Sequence, residues 1–92
     1  MPEDPRTPPV ADTAPEAAVL TTYDELHLTS YLRLLDAEAA HADWEEAAQI
    51  ILNLDPKTDK SKTRRTWESH LARAHWLTKN GYRHLLRGRA DR

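Results

Sequence analysis

Cysteine is absent from this 92-residue chain, and glycine occurs only twice. Without cysteine the chain forms no disulfide and has no thiolate, which favours a cytoplasmic location. Two glycines are too few for the glycine-rich loops that hold the phosphates of nucleotide cofactors. No uncharged run approaches the ~20 apolar residues of a spanning helix, and no secretory signal begins the sequence. These absences predict a small, cofactor-free binding or regulatory domain with no membrane partner, because so short a chain has little core for an enzyme.

The net charge of −2 conceals a division between the two halves of the chain. Residues 1–55 carry twelve acidic and two basic residues, whereas residues 56–92 carry three acidic and eleven basic residues. Such an asymmetry favours contact with a polyanion or with a partner of complementary charge. The alternative is that the two halves neutralise each other within one fold, since surface charges are often merely solvated.

The first 20 residues contain five of the six prolines and few branched apolar residues. Such a segment buries too little apolar surface to offset the chain entropy that is lost on folding. We therefore predict a disordered acidic tail over residues 1–20, a helical domain over residues 21–88 and a short basic tail over residues 89–92.

Hydrophobic spacing and capping signals predict four helices and no strand, which makes the domain all-α. Capping boxes that begin at Thr22 and Asp43 start the first two helices. The predicted helices span residues 22–40, 44–53, 62–80 and 82–86. The predicted core consists of the large apolar residues on the inner faces of these helices: Leu28, Leu32, Leu35, Trp44, Trp67 and Leu71.

The histidines and paired acids of the chain do not have the spacing of a metal or catalytic site. None of the five histidines forms an i,i+4 pair, and His70 and His75 diverge by about 140° on a helix. Glu45 and Glu46 are adjacent and therefore point about 100° apart, and their place in a first helical turn already explains them. The sequence therefore predicts neither a metal site nor an enzyme.

Residues 43–77 have the order of a helix-turn-helix DNA-binding unit: a short helix, a polar turn and a helix with a basic start. The basic residues at this start are Lys60, Lys62, Arg64 and Arg65. The turn is longer than the three or four residues usual for the motif. A plain helical bundle with a solvated basic helix start is therefore the alternative.

Several short motifs of this chain carry a family resemblance. They are LRLLDA at 32–37, DWEEAA at 43–48, GYRHLLR at 81–87, and Trp67, Leu71, Arg73, Ala74 and Leu77 in the third helix. In these motifs the chain resembles a helix-turn-helix-variant domain from proteobacterial integrative and conjugative elements. The acidic, tail-bearing form is most similar to the antiactivators of that family. The resemblance implies a protein that binds TraR-like quorum-sensing activators and FseA-like excision activators and represses conjugative transfer.

Two surfaces are candidates for the functional site. An antiactivator would present acidic residues to a basic partner, with one tryptophan as a possible anchor: Asp36, Glu38, Glu45, Glu46 and Trp76. Trp76 could instead pack on Tyr82 and Leu85. The acidic first two helices would repel phosphates, so this interpretation makes DNA binding doubtful. The alternative is a DNA-binding regulator that uses the basic start of the third helix, and a toxin-neutralising or scaffold module is a third hypothesis.

Overall fold

The computed structural model describes residues 9–81, and helices account for most of this range. Four α-helices follow one another, and a π-helical turn over Leu77–Gly81 continues the last of them. They are α1 (Thr22–Leu26), α2 (Leu28–Ala39), α3 (Trp44–Leu52) and α4 (Lys60–Trp76). No strand occurs within residues 9–81. The all-α prediction is confirmed, whereas the predicted helix at 82–86, with Tyr82 and Leu85, and the predicted basic tail lie outside the described residues.

The predicted first helix is in fact two helices that meet at His27. The capping box begins at Thr21, one residue earlier than predicted, because the Asp24 carboxylate accepts a hydrogen bond from the Thr21 backbone N–H at 2.9 Å. His27 leaves the helical backbone region at φ −110° and ψ 15°. Its buried ring places Nδ1 2.8 Å from the Tyr23 carbonyl oxygen, so the side chain is drawn back against α1.

The ends of α3 and the start of α4 follow from local capping chemistry. Asp43 caps α3 by accepting a hydrogen bond from the Glu46 backbone N–H at 3.2 Å, as the sequence predicts. Asn53 ends α3 in the left-handed conformation, with φ 58° and ψ 36°, which asparagine tolerates better than most residues. Asp59 caps α4 by accepting from the Lys62 backbone N–H at 3.0 Å. The helix therefore begins two residues earlier than predicted.

Two adjoining clusters form the core between α2, α3 and α4. The first surrounds Leu34 and the second surrounds Tyr31, and both of these α2 residues are almost fully buried. Leu32 was predicted to lie in the core, but 61% of its surface is exposed. The reason is geometric, since Leu32 lies two residues from Leu34 and thus about 200° away around the helix. The other predicted core residues, Leu28, Leu35, Trp44, Trp67 and Leu71, are partly buried, and all of them except Trp44 pack against the two clusters.

Residues 9–20, which we call the N-terminal strap, pack along α1 and α4. The backbone N–H of Ala11 donates to the Tyr23 hydroxyl, and that of Ala14 donates to Ser69 Oγ, both at 3.0 Å. Ala14 is 5% exposed. Residues 9–20 form neither helix nor strand, and the disordered tail that the sequence predicts over residues 1–20 stays a prediction. The strap buries little apolar surface, and hydrogen bonds to its backbone fix its position. Composition does not reveal such hydrogen bonds.

Candidate nucleic-acid interface

One face of α4 is buried and the opposite face is open to solvent. The buried residues of this helix recur at helical spacing: Thr63, Thr66, His70, Arg73 and Ala74. At 100° per residue the opposite face carries Ser61, Arg65, Glu68 and Ala72, and all four are exposed. The 17 residues of α4 give it a length of about 25 Å, which is sufficient to cross a major groove.

The four predicted nucleic-acid-binding residues are all exposed at the start of α4: Lys60, Lys62, Arg64 and Arg65. Lys60 Nζ lies 3.4 Å from Glu45 Oε2, and Lys62 Nζ lies 3.4 Å from Asp12 Oδ1 in the strap. Exposed pairs of this kind contribute little stability and are easily exchanged for another anion. Arg65 forms no ion pair within residues 9–81.

Arg64 is held more firmly than the other basic residues at this helix start. Its guanidinium carbon lies 4.9 Å from the Trp44 ring centroid and 5.1 Å from the Trp67 ring centroid. Its Nε–H donates to Glu68 Oε2 at 3.0 Å, one turn further along the helix. The two indole rings, whose centroids are 5.7 Å apart, join the first turn of α3 to the second turn of α4.

A buried ion pair fixes α4 against α1 and the strap. Arg73 donates from Nε and Nη2 to the two carboxylate oxygens of Asp24 at 3.0 and 2.6 Å, and the Tyr31 hydroxyl donates to the same carboxylate at 2.9 Å. Burial would raise the pKa of Asp24, but the hydrogen bonds from Arg73, Thr21 and Tyr31 outweigh it and lower that pKa to about 2. Arg73 also donates to the carbonyl oxygens of strap residues 17 and 19.

His70 lies on the buried face of α4 and is fully buried. Its Nδ1 lies 2.7 Å from the Thr66 carbonyl oxygen, which fixes the proton on Nδ1. Its Nε2 then accepts from the Tyr23 hydroxyl at 2.6 Å. Burial lowers the pKa of His70, so the ring is neutral and serves to join α1 to α4.

The predicted partner-binding residues do not form one surface. Glu45 contacts Lys60 at the start of α4, whereas Glu38 Oε1 lies 2.7 Å from His75 Nε2 near its end. Fifteen residues of helix separate these two contacts, which corresponds to about 22 Å. Asp36 and Glu46 are exposed and line a shallow groove between α2 and α3. Trp76 is half-buried, with the Arg73 guanidinium carbon 4.0 Å from its ring centroid.

Among residues 9–81, no three or more histidine, aspartate or glutamate side chains are grouped so that they could hold a metal ion. No helix in this range combines the length and the apolar character that crossing a membrane requires.

The helical fold, with a capped short helix followed by a helix whose basic start is exposed, is that of the class of helix-turn-helix-like domains. Residues 6–87 match the sequence model of the RovC DNA-binding domain family, which is described as "T6SS, Transcription factor, DNA binding domain". The chain belongs to this family. No curated protein matches the chain.

This family assignment corrects the interpretation of the acidic residues. The expectation that DNA binding is doubtful is wrong, because the family is a DNA-binding domain. The family match does not support the TraR-like and FseA-like partners, nor the narrower similarity to the antiactivator QseM. The acidic residues of the first two predicted helices do not form one surface that would repel phosphates. In the structure Asp43 caps its own helix, and Glu45 and Glu38 pair with groups on α4.

Proposed function

We propose that this protein is a transcriptional regulator that binds DNA by placing the exposed face of α4 in the major groove. The match to a transcription-factor DNA-binding domain over residues 6–87 carries this proposal. The geometry supports it, since four exposed basic residues lie within the first two turns of a helix that follows another short helix. DNA-binding domains are in general not enzymes, and the proposed function requires the compartment that holds DNA, here the cytoplasm.

The exposed residues of α4 divide into two proposed roles. Arg65 and Ser61 lie on the face opposite the core, where an arginine can donate two hydrogen bonds to guanine O6 and N7. Lys60, Lys62 and Arg64 lie at the helix start and along its edges, where phosphate contacts fix the position of the helix on DNA. Phosphates would replace the carboxylates that now pair with the two lysines, at little cost because those pairs are solvated.

The first experiment measures the affinity of the full chain for a fluorescein-labelled duplex of about 30 base pairs across a salt series. Affinity should fall linearly with salt on a logarithmic scale, by a slope of about 0.9 for each phosphate contacted. The double variant Lys60→Gln/Lys62→Gln should therefore lower that slope by about 2. The absence of salt-dependent binding by the unmodified chain would overturn the proposal.

The second experiment tests the placement of the groove-facing residue. Arg65→Gln should lower the preference for a selected sequence over a random duplex by about tenfold, since a bidentate base contact provides discrimination. Lys79→Gln is the matched control, because it removes one positive charge from an exposed residue in the π-helical turn beyond α4. Equal effects of the two substitutions on sequence preference would contradict the proposed placement.

A further inference from the structure

Arg64 differs from its basic neighbours because parts of two helices hold its side chain. Trp44 comes from the first turn of α3, and Trp67 comes from α4 itself. The guanidinium carbon lies about equally far from both rings, at 4.9 and 5.1 Å. Cation–π attraction and the hydrogen bond to Glu68 together restrict a side chain that would otherwise rotate freely.

The contact to Glu68 leaves the outer end of the guanidinium available. Only Nε donates to the carboxylate, and the Nη groups of Arg64 donate to no acceptor within residues 9–81. The side chain is 46% exposed. An arginine held in this way presents two parallel N–H donors to solvent, and this is the geometry that binds a phosphate through two hydrogen bonds.

We propose that Trp44, Trp67 and Glu68 form a cradle that orients Arg64 toward a DNA phosphate, with Trp44 as a positioning residue for DNA binding. This inference rests on the proposed function. The position of Arg64 favours a phosphate over a base, because its side chain lies on the edge of α4 that faces Trp44 in α3. In helix-turn-helix units the first helix of the pair crosses the DNA backbone, so phosphates lie along that edge.

The cradle makes Trp44 and Arg64 energetically dependent on each other in DNA binding. Trp44→Leu keeps every charge but releases the Arg64 side chain, which must then lose its rotational freedom on binding. We expect it to weaken binding of the random-sequence duplex about fivefold with no change in the salt slope. Arg64→Gln should weaken binding and also lower the slope by about 1.

The decisive measurement is a double-mutant cycle with the full chain and the random-sequence duplex. In an Arg64→Gln background, Trp44→Leu should cause no further loss of affinity. Trp44→Phe should restore most of the affinity, because phenylalanine retains an aromatic face. Trp76→Leu is the control, since it removes an indole that contacts Arg73 rather than Arg64. Each variant is first checked for folding by circular dichroism and thermal melting.

A readout without DNA separates the cradle from the proposed function. In the free protein the Arg64 Nε–H resonance should be shielded by the two indole rings, and this shielding should be reduced in Trp44→Leu, which keeps only Trp67 beside Arg64. The inference is overturned if the unmodified chain binds DNA but Trp44→Leu weakens binding equally with and without Arg64, or if no shielding is seen. The proposed function fails separately, if the unmodified chain shows no salt-dependent binding.

Discussion

The buried pair of Asp24 and Arg73 makes the stability of this domain depend on pH. The side chains are 0% and 4% exposed, and three hydrogen-bond donors besides the guanidinium face the same carboxylate. The pKa of Asp24 is about 2 in the folded protein against an ordinary value of 3.8. A depressed carboxyl pKa means that the folded state binds the proton less tightly than the unfolded state. The resulting stability is present at neutral pH and is lost as the pH falls through the folded-state pKa.

The magnitude follows from the difference between the two pKa values. At 1.36 kcal/mol per pKa unit, the shift of Asp24 corresponds to about 2 kcal/mol of unfolding free energy. Asp24→Asn should cost more, about 3–5 kcal/mol, because it leaves Arg73 buried without its counter-charge. A domain of this size has a total stability near the low end of about 5–15 kcal/mol, so the variant should be close to unfolding at room temperature.

Urea denaturation followed by tryptophan fluorescence, repeated between about pH 5 and pH 2, tests this prediction. The unmodified chain should lose about 2 kcal/mol across that interval on account of Asp24. The double variant Asp24→Asn/Arg73→Met removes both charges and should show a loss smaller by that amount. Asp36→Asn is the control on the exposed side of α2, and it should change stability by less than about 0.5 kcal/mol. Equal acid-induced losses in the unmodified chain and the double variant would refute the reasoning.

Three further predictions concern the core, the strap and its charge. Leu34→Ala should lower the unfolding free energy by about 2–5 kcal/mol, because Leu34 is 1% exposed. By contrast, Leu32→Ala should change the unfolding free energy by less than about 0.5 kcal/mol. If urea denaturation shows similar losses of unfolding free energy for the two variants, the assignment of the inner and outer faces of α2 is contradicted. Deletion of residues 1–20 should lower the melting temperature, since Arg73 loses two backbone acceptors; an unchanged melting temperature would show that the strap contributes no stability. Asp12→Asn should increase DNA affinity at low salt, because it releases Lys62 and removes an anion beside α4. A loss of DNA affinity in this variant would show that Asp12 does not compete with phosphate for Lys62.

The sequence predicts well those features that are determined within one or two turns of chain. Asp43 followed by Glu46 correctly predicts the start of α3, since a capping interaction depends only on residues three apart. The helical class follows from the spacing of apolar residues. The exact phase of α2 does not, because Leu32 and Leu34 are equally apolar. Which of them faces inward depends on the break at His27 and on the helices that pack against α2.

Contacts between residues far apart in the chain could not be read from composition. Asp24 and Arg73 are separated by 49 positions, and no local pattern indicates that they meet. The same holds for the strap, because composition does not reveal that α1 and α4 provide side-chain partners for its backbone. The basic start of α4 could be found from sequence, whereas the cradle around Arg64 requires Trp44 and Trp67 to converge from two helices.

The number of exposed basic residues also limits how strongly the DNA affinity of this domain can depend on salt concentration. α4 contains five lysines and arginines, but Arg73 is buried in the pair with Asp24, so only four can reach phosphates. At about 0.9 per phosphate, α4 alone accounts for a salt slope no steeper than about −3.6. We therefore expect the full chain to show a slope between about −2 and about −3.6 if α4 provides the phosphate contacts. A steeper slope, measured with the random-sequence duplex, would require basic residues outside α4 and would contradict the assignment of DNA binding to this helix alone.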